Sequence, residues 1–274
     1  MASPSPFVYQ MGGGEDDVEE VTHFLMSHFV SNFSYDPNTA PNRGAEALCQ
    51  ALSLDERNSE LVSFFGGYVR SALSHKVSCL ARCADTGRLV GARLCETATP
   101  TAFLQSLKRL GQQAGRFAYE PLNRMQRFVC AVADRQPFER LFSEWGVTKL
   151  LVLHIMAVHK DYRRRGIARQ MLRRSLAEGL SSSCSTALVC ATGEAAQSLY
   201  EQLGFHRLSC LPHDAVLQGE EGGGGGGGDN KSPRPLLPSS LGPNQRPFTA
   251  NYYLKRLDKS IDKISENSTP SSSS

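Results

Sequence analysis

The stretch that decides the fold is Lys149-Leu-Leu-Val-Leu-His-Ile-Met-Ala-Val158 and, just beyond it, Arg163-Arg164-Arg165-Gly166-Ile167-Ala168. The first part is apolar and strand-like. The second is a basic glycine turn. After it, Ile167, Ala168, Met171, Leu172, Leu176 and Leu180 fall on one face of a helical pattern. Strand, tight turn and helix in this order point several backbone N–H groups of a helix start at one spot. Such a spot binds phosphate, through unpaired amides and the positive end of the helix dipole. No Gly-Lys-Ser/Thr follows, so this is not a Walker loop, and the glycine spacing of a Rossmann turn is absent.

Downstream, Ser185–Ala191 reads as a strand, Thr192 to Gly204 as a helix closed by a glycine, and Phe205 as the start of another strand. Arg163-x-x-Gly166-x-Ala168 fits the R/Q-x-x-G-x-G/A motif of the GNAT acetyltransferases. Ala196-x-x-x-Tyr200-Glu-Gln-Leu-Gly204-Phe205 resembles the A-x-x-x-Y-x-x-x-G-F signature of the same family. Further stretches, among them His23–Phe29 and Gly87-Arg-Leu-Val-Gly91, resemble the insect-type arylalkylamine (dopamine) N-acetyltransferases. The resemblance runs from about Phe7 to Leu211 and resumes at Phe248–Leu257.

Composition bounds the alternatives. The chain has 274 residues, 40% hydrophobic and 21% charged, with a net charge of +3. That describes a soluble globule and is too balanced to call for nucleic acid. No run is long and apolar enough to span a membrane, and Met1–Val8 has no signal-peptide pattern. A cytoplasmic location with reduced thiols is expected for the 8 cysteines. No Cys-x-x-Cys pair suggests a metal site, so none is expected.

Phe7–Met11 reads as a short strand, and Val18, Val21, Leu25, His28 and Phe29 form a helical stripe. Ser59–Leu73 is a helix, and Val77–Ala84 and Leu89–Glu96 are strands around the hairpin signal Asp85-Thr-Gly-Arg88. Thr101–Trp145 looks helical and irregular. Seven glycines at 222–228 and several prolines mark 218–247 as a disordered insertion, ahead of a final strand in Phe248–Leu257. The expected organisation is a flexible 1–6, one domain made of 7–217 and 248–258, the insertion 218–247, and a disordered tail 259–274. The fold class is α/β, the GNAT fold: a mixed, mostly antiparallel central sheet flanked by helices.

The resemblance implies acetyl-CoA as acyl donor, a small amine as acceptor, and direct attack in a ternary complex. No nucleic-acid or membrane partner is expected, and a monomer is. Backbone amides near Met156 and Val158 would serve the thioester oxygen. Arg163, Arg164, Arg165, Gly166, Ile167 and Ala168 would hold the pyrophosphate. Asp36, before Pro37, matches the place of the family's glutamate base, one methylene shorter; the other reading is a turn aspartate before proline. Thr192 is either the first hydroxyl of the family's proton relay or a helix N-cap. Ala196 has no hydroxyl where the family has its second. Tyr200 is either the acid for the departing thiolate or a core tyrosine. His154 and His159 either titrate usefully or pack. Phe33, Tyr35, Phe64, Phe65 and Tyr68 suit an arylalkylamine slot, or simply core. The alternatives in function are a polyamine or other small-amine acetyltransferase, and a catalytically weak acyl-CoA-binding regulatory module.

Overall fold

A computed structural model describes residues 6–30, 49, 52–212 and 249–257. Its centre is β4 (Leu150–Val158), in which Leu150 to Leu153 are buried on both faces of the sheet. Leu150 and Val152 pack on one side, Leu151 and Leu153 on the other. A strand covered on both faces reads as a continuous apolar run, which is why Lys149–Val158 shows no alternation.

The remaining strands assemble around it. They are β1 (Phe7–Met11), β2 (Cys79–Cys83), β3 (Leu89–Ala98), β5 (Thr186–Ala191), β6 (His206–Pro212) and β7 (Thr249–Arg256). The sheet order is β1-β2-β3-β4-β5-β7-β6. All neighbouring pairs are antiparallel except β4 and β5. A parallel pair needs a crossover, and it is supplied by α6 (Ile167–Ser181).

One sheet face carries α1 (Glu15–Leu25), α2 (Ser59–Ser74), α3 (Pro100–Gln113), α4 (Glu120–Asp134) and α5 (Phe138–Glu144). The other carries α6 and α7 (Glu194–Gln202). Local chemistry sets these limits. Asn58 caps α2, its Oδ1 accepting from the N–H groups of Glu60 and Leu61. Thr99 caps α3. Gly204, at φ +77°, closes the turn after α7. Arg82 on β2 reaches Asp17 at 3.0 Å and Glu20 at 2.6 Å, tying α1 to the sheet.

Two expectations are refined. The stretch Thr101–Trp145, read as helical and irregular, contains three helices, each opened by Thr99-Pro100, Tyr119-Glu120-Pro121 or Pro137. The stripe Val18 to Phe29 is not one regular helix. It changes at Met26 to a π turn (Met26–Val30), the kind of local widening found often at functional sites. The segments expected to be loose at 218–247 and 259–274, and Phe33, Tyr35 and Asp36, lie outside the described residues. Among the described residues no helix is long and apolar enough to cross a membrane. Seven cysteines there are free thiols.

The seating of α6 on β4 depends on Gly179, where a Cβ would stand 2.7 Å from Leu151 Cδ2 in a fully buried layer. Gly179→Val should therefore destabilise the fold by roughly 1–3 kcal/mol through overpacking. Denaturant unfolding of the variant beside wild type measures it.

Candidate active site

The site begins where the sheet stops being regular. β4 pairs with β5 only from Leu150↔Thr186 to Leu153↔Val189. Beyond Leu153 the two strands part, and β4 presents an unpaired edge from His154 to Val158 on the β5 side. On its other side β4 stays paired to β3, but the register shifts: Cys95 faces Leu153, whereas Arg93 faces Met156. Three steps on β4 oppose two on β3, which is a β-bulge at His154 and Ile155. A bulge next to an opened edge re-aims side chains and frees backbone donors.

Past the strand, the chain turns through Lys160–Tyr162 and enters α6 at Ile167. Arg164 has φ +62° and Gly166 φ +80°. Successive backbone N–H groups in such a turn can form a concave nest that suits an anion. Gly166 is the α6 N-cap and offers no capping side chain. A Cβ built there would meet no atom within 4 Å, so the space is open to a ligand. Ile167 is buried against Met171 and Val90, and Ala168 lies half-buried on the first helical turn.

The three arginines separate. Arg163 is half-buried, and its Nε donates to the Val158 carbonyl at 3.2 Å, clamping the turn to the strand. Arg165 lies over the Tyr162 ring at 5.2 Å. Arg164 and Arg165 are exposed. A cavity of about 400 Å³ between β1 and the start of α6 is lined by Phe7, Tyr9, Arg165, Gln170 and Arg174.

On the helix-rich face, His154 Nε2 lies 3.2 Å from Glu96 Oε1. That contact, ahead of the penalty of burial, holds the Glu96 carboxyl below its ordinary range. Tyr68 of α2 packs edge-on to the His154 ring at 5.2 Å. Burial first, then Glu96, pushes the Tyr68 phenol well up. Phe64 meets Phe65 at 5.8 Å and Phe117 at 6.0 Å, extending an aromatic wall from α2.

On the opposite face, Tyr200 of α7 is 2% exposed and accepts a hydrogen bond from Arg93 Nη1 at 2.9 Å. Thr192 lies half-buried between β5 and α7; the N-cap is Gly193, so capping is not its role. His159 is buried and caps the turn, its Nδ1 accepting from the Asp161 N–H at 3.3 Å. Arg88 reaches its Nε2 at 3.0 Å.

The sequence reading brought together the strand, the nest and Tyr200. It did not find Glu96 or Arg93. The signal was available in Arg93 and Glu96 themselves, charged residues within the apolar strand Leu89-Val-Gly-Ala-Arg-Leu-Cys-Glu96. Strands covered on both faces hold such residues only where they have a partner or a task.

Comparison with known proteins follows the same lines. Residues 125–207 match the family described as an acetyltransferase (GNAT) domain. Arylalkylamine N-acetyltransferase 2 from Aedes aegypti superposes with a TM-score of 0.69 at 16% identity, covering 93% of this chain and 100% of that one. The Drosophila melanogaster polyamine N-acetyltransferase, an enzyme that forms N-acetylagmatine, superposes at 0.64 with 13% identity over 92% of this chain and 100% of that one. At these identities the likeness is one of fold. A search of curated proteins returns no match.

The π turn sets His28 against His159, ring centroids 4.4 Å apart, and against Phe24 at 4.7 Å. Burial first, then the charges of His159, Arg163, Arg88 and Lys160, lowers His28 to about 4. The unfolded chain takes this proton near pH 6.5, and the folded one does not until about 4. Stability attributable to His28 is thus present above pH 6.5 and lost as pH falls toward 4. His28→Gln should flatten the decline in Tm across that window relative to wild type, as followed by thermal denaturation.

Proposed function

We propose, from the premise that this chain carries a GNAT acetyltransferase domain, that it acetylates the primary amine of a small arylalkylamine of the dopamine, tryptamine or octopamine type. The observation that carries the reading is the parting of β4 from β5 beyond Leu153, which leads from the bulge at His154 to the nest before α6. Acetyl-CoA, the acyl donor of such domains, supplies the thioester carbonyl that the amine attacks. The residues present fit it. Gly166 leaves open space where a phosphate would approach, and the turn from Arg164 to Ala168 presents backbone donors. The edge from His154 to Val158 suits the pantetheine arm as an added strand, with the Met156 and Val158 amides for the thioester oxygen.

The amine must lose a proton to attack. His154, half-buried at the bulge and facing the Glu96 carboxylate, is the group we assign to receive it. Asp36 keeps its standing as the family's position for a base, with Thr192 as a relay hydroxyl, and the same measurement separates the two sets. The aromatic wall of Phe64, Tyr68 and Phe117 supports an aryl substrate. A polyamine site needs carboxylates around it. Glu60, the next acidic group along this wall, is engaged by the backbone N–H groups of Ala118 and Tyr119. The fold is common to both kinds of enzyme and does not rank them.

Thiol release from acetyl-CoA against a panel of aryl and aliphatic amines tests the substrate class. Higher kcat/KM for agmatine or putrescine than for every arylalkylamine would reverse the assignment. Gly166→Asp should weaken CoA binding by at least about tenfold with the fold retained, because a carboxylate would face the pyrophosphate; calorimetry reads this. His154→Ala should lower kcat/KM for the amine roughly 10²–10³-fold near pH 7. That loss should shrink as pH rises and free amine accumulates, with KM for acetyl-CoA unchanged. Flat behaviour across pH would move the base to Asp36.

A further inference from the structure

The sheet ends at β1, and among the described residues nothing pairs with its outer edge. Two bonds at the ends of the strand fix which way its backbone groups point. The Pro6 carbonyl accepts from the Ala84 N–H, and the Gly12 N–H donates to the Ser78 carbonyl, so the even positions address β2. Backbone groups alternate along an antiparallel strand. The N–H and C=O groups of Phe7, Tyr9 and Met11 therefore point outward, away from β2. Natural edges are commonly guarded by charge, proline or a bulge. Phe7-Val-Tyr-Gln-Met11 holds no charge and no proline, and its register with β2 is unbroken.

The two faces of this edge differ. Phe7 and Tyr9 face the α6 side. Phe7 meets the Tyr162 ring edge-on at 6.1 Å, and the Arg174 guanidinium lies 4.8 Å from the Tyr9 ring centroid. Arg165 sits over Tyr162 in turn, so each cation rests on an aromatic ring beside β1. Phe7, Tyr9, Arg165 and Arg174 all border the cavity of about 400 Å³. No acidic residue borders it, and neither arginine forms an ion pair among the described residues. On the opposite face Val8 is 57% exposed, the one large hydrophobic residue so exposed among those described.

We propose that β1 is a docking edge for an acidic, extended segment of a partner protein, which adds to the sheet as a further strand. A residue set opposite Phe7 or Tyr9 shares their face, so it meets Arg165 or Arg174. Residues two apart on a strand stand about 6.7 Å from one another, and the one between them turns to the other face, against Val8. Acidic, apolar, acidic is thus the pattern this edge reads. Each arginine, laid flat on a ring, keeps its fork of donors for a carboxylate. A second copy of the chain is a poor occupant. β1 carries no acid, and pairing it with itself would bring two sets of arginines together. β2 and β3 stand between this edge and β4, so docking leaves the opened edge of β4 free. The docking edge does not depend on which amine is acetylated.

The probe is a labelled synthetic peptide of alternating glutamate and valine, and fluorescence anisotropy with the full chain reads its Kd. Excess CoA is present throughout, so that an acidic peptide cannot simply occupy the nest. Binding should survive CoA and weaken as salt rises. A lysine–valine peptide, and the same glutamates and valines arranged in two blocks, should bind about tenfold more weakly or worse. N-methylation of alternate amides should cost about tenfold in one phase of the alternation, because an added strand bonds through one set of them. Arg174→Glu should lose about tenfold for the glutamate peptide and gain for the lysine peptide. Its circular dichroism and its affinity for CoA should match wild type. No binding by the glutamate–valine peptide, its displacement by CoA, or indifference to N-methylation or to Arg174→Glu would each overturn the proposal. So would a dimer in sedimentation that Val8→Lys dissolves, which would make the occupant a second copy. Failure of wild type to bind CoA would instead bring down the acetyl-transfer reading and leave the peptide comparison standing.

Discussion

The whole site depends on where one parallel pairing ends. β4 and β5 share hydrogen bonds from Leu150 to Leu153, and that short ladder is held by apolar side chains packed on both faces. Rigidity up to this point lets the strands diverge at a fixed place. The bulge at His154 and Ile155 then keeps β4 bound to β3 while its other edge opens. The nest before α6 and the start of α7 both follow these two strands, so each lies at the end of the same gap. A longer β5 ladder would close the edge and leave the nest a mere surface turn.

Electrostatics on the two sides of the gap are arranged differently. On the α2 side a carboxylate and an imidazole meet beside aromatic rings. On the α7 side a buried guanidinium meets a phenol with no carboxylate to neutralise it. A third basic group of residues, Arg88, Lys160 and Arg163, surrounds His159 and His28 near the turn. One side therefore carries a carboxylate, and the other a buried cation.

Much of the frame was legible from sequence because it rests on local rules. Lys149–Val158 is apolar without alternation, so a doubly covered strand follows. Gly166 in a basic turn ahead of a periodic pattern marks a helix start, and the helix does begin at Ile167. Gly204 ends α7 where the periodicity stops. Other features were hidden because they arise from register and long-range approach. Glu96 and His154 are 58 positions apart (154 − 96) and meet only across the β3–β4 ladder, where Glu96 pairs with Val152, two residues from His154. Arg93 and Tyr200 come from elements that share no pattern, and nothing local to either tells that they touch. The π turn at Met26 shows no distinctive residue either, since widening a helix by one residue per turn leaves the composition of the stripe unchanged.

The sheet also partitions the work between two stretches of chain. Groups that would face the amine, Tyr68, Phe64 and Glu96, come from the first hundred or so residues, His154 excepted. The nest, α6 and Tyr200 lie within 125–207, the stretch that matches the family. A lineage can thus remodel the α2 wall while the nest and α6 stay untouched. Drift in the first half leaves the nest and α6 as they are, so likeness to relatives should fade there first.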